Sequence, residues 1–287
     1  MEWTFDKLHG LGNDYLYFDA RETDAGDEYW GELARHICDR HFGVGADGII
    51  LIGRSNSADA RMTIYNADGS RSEMCGNGLR ALAKWLYDRR LAGRDQIIET
   101  DAGLLYPEVV ELKGGLAYKI RVNMGRPRFA AKDSGFAAGG DQPFLNEEIF
   151  LEDEGKFQAS LVSMGNPHLI IFGSLWDEAT MAKIGSKLEH HPWFPSRINV
   201  HSVEVLDTHH LAIRHWERGA GLTLACGTGA VACAAAAIRL NLALSPLSLD
   251  VPGGVLQAEW SGDDTPIYLT GPAEEVFSGR YSWPAPR

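Results

Sequence analysis

The same punctuation occurs twice in this sequence. Cys75 stands in MCGNG and Cys226 in ACGTG, 151 residues apart, and each opens a stretch of helical character. The offset recurs elsewhere: Gly103 of DAGLLYPEV matches Gly254 of PGGVLQAEW, and Asn66 of IYNADG matches Glu217 of HWERGAG. Asn13 in GLGND and Asn166 in SMGNP keep the order with a slip of two residues. A repeat held over this span restricts the chain to a duplicated architecture, two copies of one supersecondary plan. Its 287 residues exceed what one core usually organises, so each copy is expected to be a domain of roughly 150 residues. The Gly-, Ala- and Pro-rich segment 125–140 (GRPRFAAKDSGFAAGG) is the natural boundary. It gives domains over 1–125 and 126–272, with the tail 273–287 expected to return to the first.

Local patterning supplies the fold class. From Gly78 to Arg90, Leu79, Leu82, Ala83, Leu86 and Tyr87 form one apolar stripe, with Arg80, Lys84 and Asp88 on other faces, as in an amphipathic helix. Gly229 to Leu240 is alanine-rich and apolar nearly all round, which predicts a helix buried on every side. Short alternating segments at 60–65, 96–99, 116–122, 169–172 and 211–216 read as strands. Each copy therefore mixes helix and sheet, an α+β fold.

Composition removes several function classes. Lys and Arg number 27 against 39 Asp and Glu, a net charge of −12 that argues against a nucleic-acid or anionic-membrane partner. The start, MEWTFDKLHG, lacks a basic-then-apolar leader, and the apolar run at 231–238 is too short to span a bilayer, so a cytoplasmic protein is expected. The four cysteines have no CxxC spacing, and the pairs His190–His191 and His209–His210 fit no HxH or HExxH pattern, so no metal is expected. GVGADG at 43–48 fits G-x-G-x-x-G but follows a helical segment, 33–40, rather than a strand, which demotes a dinucleotide site. Cys38 and Cys233 lack a Gly-x-Gly successor and read as packing residues.

Cys75 and Cys226 carry the chemistry. A thiol acts as base or nucleophile only as thiolate, which unpaired N–H groups and the dipole at a helix N-terminus favour. Gly76, Asn77 and Gly78 follow Cys75, and Gly227, Thr228 and Gly229 follow Cys226, so backbone amides can approach an anionic ligand with no Cβ in the way. If the copies pack about a pseudo-twofold axis, one thiolate can remove an α-proton while the other thiol protonates the opposite face. That is stereoinversion without metal or cofactor. Three alternatives stay open: a racemase of the same logic acting on proline or hydroxyproline, a redox sensor joining Cys75 to Cys226, and a catalytically silent amino-acid-binding module.

FDKLHGLGNDY (5–15), YNADGSRSEMCGNGLR (65–80), SMGNPH (163–168), RINV (197–200), WERGAGLTLACGTGA (216–230) and DVPGG (250–254) together resemble the diaminopimelate epimerase family over essentially the whole chain. The resemblance implies two pseudo-symmetric domains, each a barrel-like, mostly antiparallel sheet around a central helix, with the active site in the interdomain cleft. It implies a cofactor-independent enzyme interconverting LL- and meso-2,6-diaminopimelate for lysine and peptidoglycan precursors, with a small-molecule substrate as partner and a homodimer as a compatible assembly. Carried over by motif, Cys75 is the proton donor and Cys226 the acceptor from LL to meso. Asn13, Asn66, Asn166 and Asn199 match substrate-binding asparagines, beside the Gly76–Asn77 and Gly227–Thr228 turns. Glu217 and Arg218 match the pair that meets the distal amino and carboxylate groups. His168, with Glu217, matches positions that adjust thiol acidity. Two positions depart from the pattern: Gly48, where some relatives carry glutamine, and Leu222, where many carry glutamate.

Overall fold

The computed structural model describes residues 1–23 and 25–285. The chain begins β1 (Glu2–Gly10), β2 (Asn13–Asp19), α1 (Asp27–Ile37), β3 (Gly48–Gly53), β4 (Ala60–Asn66), β5 (Arg71–Ser72), α2 (Gly76–Asp88), β6 (Ile98–Thr100), β7 (Gly103–Leu105), β8 (Glu108–Lys113) and β9 (Leu116–Asn123). It continues β10 (Glu147–Leu151), β11 (Gly155–Ser163), β12 (Pro167–Phe172), α3 (Glu178–Glu189), β13 (Asn199–Asp207), β14 (His210–Glu217), β15 (Gly221–Thr223), α4 (Gly227–Arg239), β16 (Leu247–Val251), β17 (Gly254–Glu259), β18 (Tyr268–Pro272) and β19 (Glu274–Ser282). Contacts divide it into Met1–Val122 with Gly271–Arg287, and Asn123–Thr270. Residues 286 and 287 of the expected C-terminal segment lie outside the described residues.

The first unit orders its strands β19-β1-β2-β3-β4-β6-β7, with β5 on β4; the second orders them β10-β11-β12-β13-β14-β16-β17-β18, with β15 on β14. Parallel pairs fall at matching places. β2 and β3 run parallel across α1, as β12 and β13 do across α3; β4 and β6 run parallel across α2, as β14 and β16 do across α4. Neighbouring pairs such as β1 with β2 and β11 with β12 are antiparallel, joined by the tight turns that strand pairs of this kind permit. The duplication in sequence is thus a duplication of topology, down to Gly103 and Gly254, which open β7 and β17 opposite Thr100 and Val251.

Strand alternation gives each sheet two buried faces. On β2, Leu16 and Phe18 join Trp30, Leu33, Ala34 and Ile37 of α1 in one core. Tyr17 points the other way, its hydroxyl donating to the Gly78 carbonyl of α2 at 2.9 Å. In the second unit Leu169, Ile171 and Val200 pack with Met181, Ile184 and Leu188 of α3. Helix α4 meets β11, β12, β13, β14, β16 and β17, and Gly229 to Ala237 along it are buried, which makes it the central helix its composition predicted. A helix walled in by strands has room only for small side chains. Oversized ones force backbone shifts costing about 1–3 kcal/mol.

The expected helix limits differ from the observed ones by two residues at the N-termini. Both helices start immediately after their cysteine, because the sulfur itself is the cap: Cys75 Sγ accepts from the Gly78 amide and Cys226 Sγ from the Gly229 amide, each at 3.4 Å. Among the described residues no helix is long and apolar enough to cross a membrane.

Candidate active site

In the first unit Gly12, at φ +87°, turns the chain from β1 into β2 and delivers Asn13. This left-handed backbone is one that glycine adopts without strain. Asn13 Nδ2 donates to Asp47 Oδ2 at 2.6 Å, which turns Asn13 Oδ1 toward α2. There it accepts from the Cys75 thiol at 3.5 Å and from Asn77 Nδ2 at 3.2 Å. Asn77 Oδ1 in turn accepts from Arg80 Nη2 at 2.8 Å. The amide orientations follow from these ends, a buried guanidinium on one side and a carboxylate on the other. Arg40 reaches Asp47 at 2.8 Å and Asp14 at 2.7 Å, and Lys7 reaches Asp14 at 2.8 Å. Burial works against the Asp14 charge, but hydrogen bonds from Arg40 and Lys7 outweigh it and hold the carboxyl below its usual value. Asn66, at the end of β4, donates to Ser70 Oγ at 2.9 Å rather than to the thiol. A Cβ at Gly48 would lie 2.4 Å from the Tyr65 carbonyl oxygen, so this backbone has no place for a longer side chain there.

The second unit repeats the plan with different chemistry. Gly165, at φ +101°, delivers Asn166 as Gly12 delivers Asn13. Asn166 Nδ2 donates to Thr228 Oγ1 at 3.2 Å, and Thr228 Oγ1 lies 3.7 Å from Cys226 Sγ. Asn166 Oδ1 is 2.9 Å from His168 Nε2. His168 is thereby linked to Cys226 through Asn166 and Thr228. Asn199 spends both ends of its amide on backbone, accepting from the Arg218 N–H at 3.0 Å and donating to the Pro167 carbonyl at 2.8 Å. Glu189, at the end of α3, accepts from Trp216 Nε1 at 2.7 Å and from the Gly219 amide at 2.9 Å. Together they pin the loop that carries Glu217 and Arg218. Arg218 Nη1 donates to the Ser196 carbonyl at 3.1 Å. Leu222 is 41% exposed on β15, on the strand paired with that of Glu217.

Thiol acidity departs from the expectation. Helix N-termini were predicted to lower both thiols, but burial pushes the Cys75 thiol up, opposed by the Tyr15 hydroxyl, the Gly78 and Asn77 amides and the Arg80 charge. Burial and then the Glu217 carboxylate push Cys226 well above its usual range, against the Thr228 hydroxyl and the Gly229 amide. Desolvation outweighs a few N–H groups because it acts on the whole charge of the thiolate. The two halves differ in the sign of the charge that acts on the thiol, the Arg80 guanidinium on Cys75 and the Glu217 carboxylate on Cys226. His168 is no cation either: burial lowers it to about 3, with His215 and Arg218 adding to the effect. Cys38 is pushed to about 12 by burial, in keeping with a packing role.

Sequence reading passed over Asp47, Arg80, Glu189, His201 and His215. Arg80 carried a signal, a charge one turn into a helix; His201 and His215 depend on strand register, and Asp47 and Glu189 on tertiary contacts of a loop and a helix end, which no local pattern discloses.

Two thiol-capped helices on a duplicated α+β plan define a fold with known relatives. A phenazine biosynthesis protein of the PhzF family from Bacillus anthracis superposes with a TM-score of 0.68 at 16% identity, covering 99% of this chain and 100% of that one. A hydroxyproline epimerase from Agrobacterium vitis superposes with a TM-score of 0.68 at 14% identity, covering 97% and 92%. At these identities the likeness is one of fold. The sequence profile of diaminopimelate epimerase matches residues 5–130 and 160–276. The diaminopimelate epimerase of Desulforudis audaxviator is 45% identical over 278 residues, covering 96% of this chain and 98% of that one. The chain belongs to the diaminopimelate epimerase family, and it is an isomerase.

Proposed function

We propose that the protein interconverts LL- and meso-2,6-diaminopimelate, in the synthesis of lysine and peptidoglycan precursors, with Cys75 and Cys226 as its two acid-base groups. The observation that carries this reading is the repeated cap: one sulfur at the N-terminus of α2, one at that of α4, each beside an asparagine delivered by a glycine turn. A two-base inversion needs an acid-base group for each face of the carbon, and each unit supplies one thiol.

From LL to meso, the Cys226 thiolate takes the α-proton and the Cys75 thiol returns a proton to the opposite face; in the reverse direction the roles exchange. The thiolate is made from a thiol whose acidity is suppressed at rest. The Glu217 carboxylate, which raises the Cys226 thiol, is the group we assign to adjusting that acidity. Backbone N–H groups of Gly76, Asn77, Gly227 and Thr228 hold the substrate carboxylate and the charge that spreads onto it as the α-carbon loses its proton. Asn13, Asn66, Asn166 and Asn199 are the amides assigned to the ammonium and carboxylate groups of the substrate, and Asn199 also braces the loop from which Glu217 and Arg218 meet the distal groups.

The test is stereochemical. Reduced protein with LL-diaminopimelate in heavy water is expected to yield the meso isomer carrying deuterium at the inverted α-carbon. No meso product refutes the activity; meso product without deuterium refutes exchange through thiols.

A further inference from the structure

His168 on β12, His201 on β13 and His215 on β14 are each 0% exposed. The register sets them in a row: His168 pairs with Asn199, two residues before His201, and His201 faces His215 directly. His168 Nδ1 is 2.8 Å from His201 Nε2, and His201 Nδ1 is 2.9 Å from His215 Nδ1. Beyond His168 Nε2 the contacts continue to Asn166, Thr228 and the Cys226 sulfur at 2.9, 3.2 and 3.7 Å. Burial keeps all three imidazoles neutral, so each has one N–H and one lone pair. The chain can then point only one of two ways.

Its far end decides which. His215 Nε2 is buried and has no hydrogen-bond partner among the described residues. If the donors ran away from Cys226, that atom would be an orphaned N–H, and His168 would turn a lone pair toward the Asn166 carbonyl oxygen. If they run toward Cys226, the orphan is only a lone pair, the cheaper group to leave unmet. His215 Nδ1–H then donates to His201, His201 Nε2–H to His168, and His168 Nε2–H to Asn166 Oδ1. Asn166 Nδ2–H donates to Thr228 Oγ1, which leaves the hydroxyl hydrogen for sulfur. Gly229 shows how closely the row abuts the thiol: a Cβ there would lie 2.4 Å from His201 Cε1 and 3.1 Å from Cys226 Sγ.

We propose that His201 and His215 are positioning residues for Cys226, fixing the tautomer of His168 and the amide of Asn166 so that the Thr228 hydroxyl donates to the Cys226 sulfur. The inference deepens the reading of Cys226 as an acid-base group and rests on it. Of the charged groups, Glu217 bears on Cys226 and Arg218 bears on His168.

Nitrogen-15 histidine spectra of the full-length reduced protein test the direction without reference to activity. His215 is expected as the Nδ1–H tautomer and His168 and His201 as Nε2–H; a His215 Nε2–H tautomer overturns the proposal. A second measurement follows iodoacetamide alkylation of Cys226 against pH by mass spectrometry, in a Cys75→Ala background. His215→Asn keeps an N–H at the Nδ1 position and leaves the midpoint unchanged. His215→Asp places an acceptor there, reverses the chain and raises the midpoint by about one unit, a roughly tenfold slower alkylation below it. Thr228→Val raises it by the same amount, and His215→Asp in the Thr228→Val background adds nothing, whereas a mere charge effect of the aspartate would persist. A wild-type midpoint in His215→Asp, or additive shifts, overturns the proposal. If His215→Asp does not fold, the tautomers and Thr228→Val carry the test, an unshifted midpoint in the latter being equally fatal. A protein with these tautomers and midpoints that converts no diaminopimelate refutes the proposed activity and leaves the hydrogen-bond chain standing.

Discussion

A sulfur used as a helix cap differs from a buried small hydrophobe in one respect: it holds backbone N–H groups that strengthen their bonds when it ionises. Cys75→Ala and Cys226→Ala remove the cap and the acid-base group together, and each is expected to bring epimerisation below about 1% of wild type, consistent with acid-base contributions of about 10²–10⁴-fold. Chiral analysis of product checks this, and a double-digit percentage of activity in either variant contradicts the two-thiol scheme. Gly229 is a sharper probe of the Cys226 half, because the glycine is required by a neighbouring ring rather than by its own backbone. Gly229→Ala is expected to displace His201 and lower stability by about 1–3 kcal/mol, as overpacking does. Urea midpoints measure it, with Gly93→Ala, where an added Cβ meets nothing within 4 Å, as the control.

At the scale of elements, the loop after β14 owes its placement to Glu189 as much as to its own residues. Burial opposes the Glu189 charge, yet Trp216 Nε1 and the Gly219 amide, with His190 and Arg197, keep its carboxyl below the usual value. Glu189→Ala leaves two donors without their acceptor, at a cost of about 1–3 kcal/mol each where they stay buried. Steady-state kinetics are expected to show a raised KM with a smaller change in kcat, since the loop carries the groups assigned to the distal end of the substrate. An unchanged KM would mean that the loop holds its shape unaided. Helices α2 and α4 were legible in the sequence because period and composition are local. The cysteines were legible as standing at the helix starts but not as the caps themselves, because cysteine is not among the usual capping residues Ser, Thr, Asp and Asn. Asn199 was legible as part of the RINV motif but not as a brace: its amide partners, Pro167 on β12 and Arg218 just beyond β14, come from distant parts of the chain.

For the molecule as a whole, three imidazoles buried neutral make stability depend on acid. His168 and His215 titrate at about 3 and His201 well below its ordinary value, against roughly 6.5 in the unfolded chain. Depressed values mean that the unfolded state binds more protons below pH 6.5, so their contribution is complete above that pH and is lost as pH falls toward 3. The limiting slope for three protons is about 4 kcal/mol per pH unit. Urea unfolding between pH 7 and 5 should follow that direction, and His215→Asn should flatten the slope by one proton's share.

The sequence by itself determined the duplication, the α+β class, the two helices, and which two of four cysteines open them, because each of these rests on residues near one another in the chain or on a fixed offset. Tertiary structure decided the charges and the wiring. A buried guanidinium stands by one thiol and a carboxylate by the other, and desolvation raises both where the helix ends alone would lower them. Residues 168, 201 and 215 become one hydrogen-bonded row only when three strands take their register. The reason is physical: hydrogen bonding along a helix is set within four residues, whereas burial and cross-strand neighbours are properties of the folded whole.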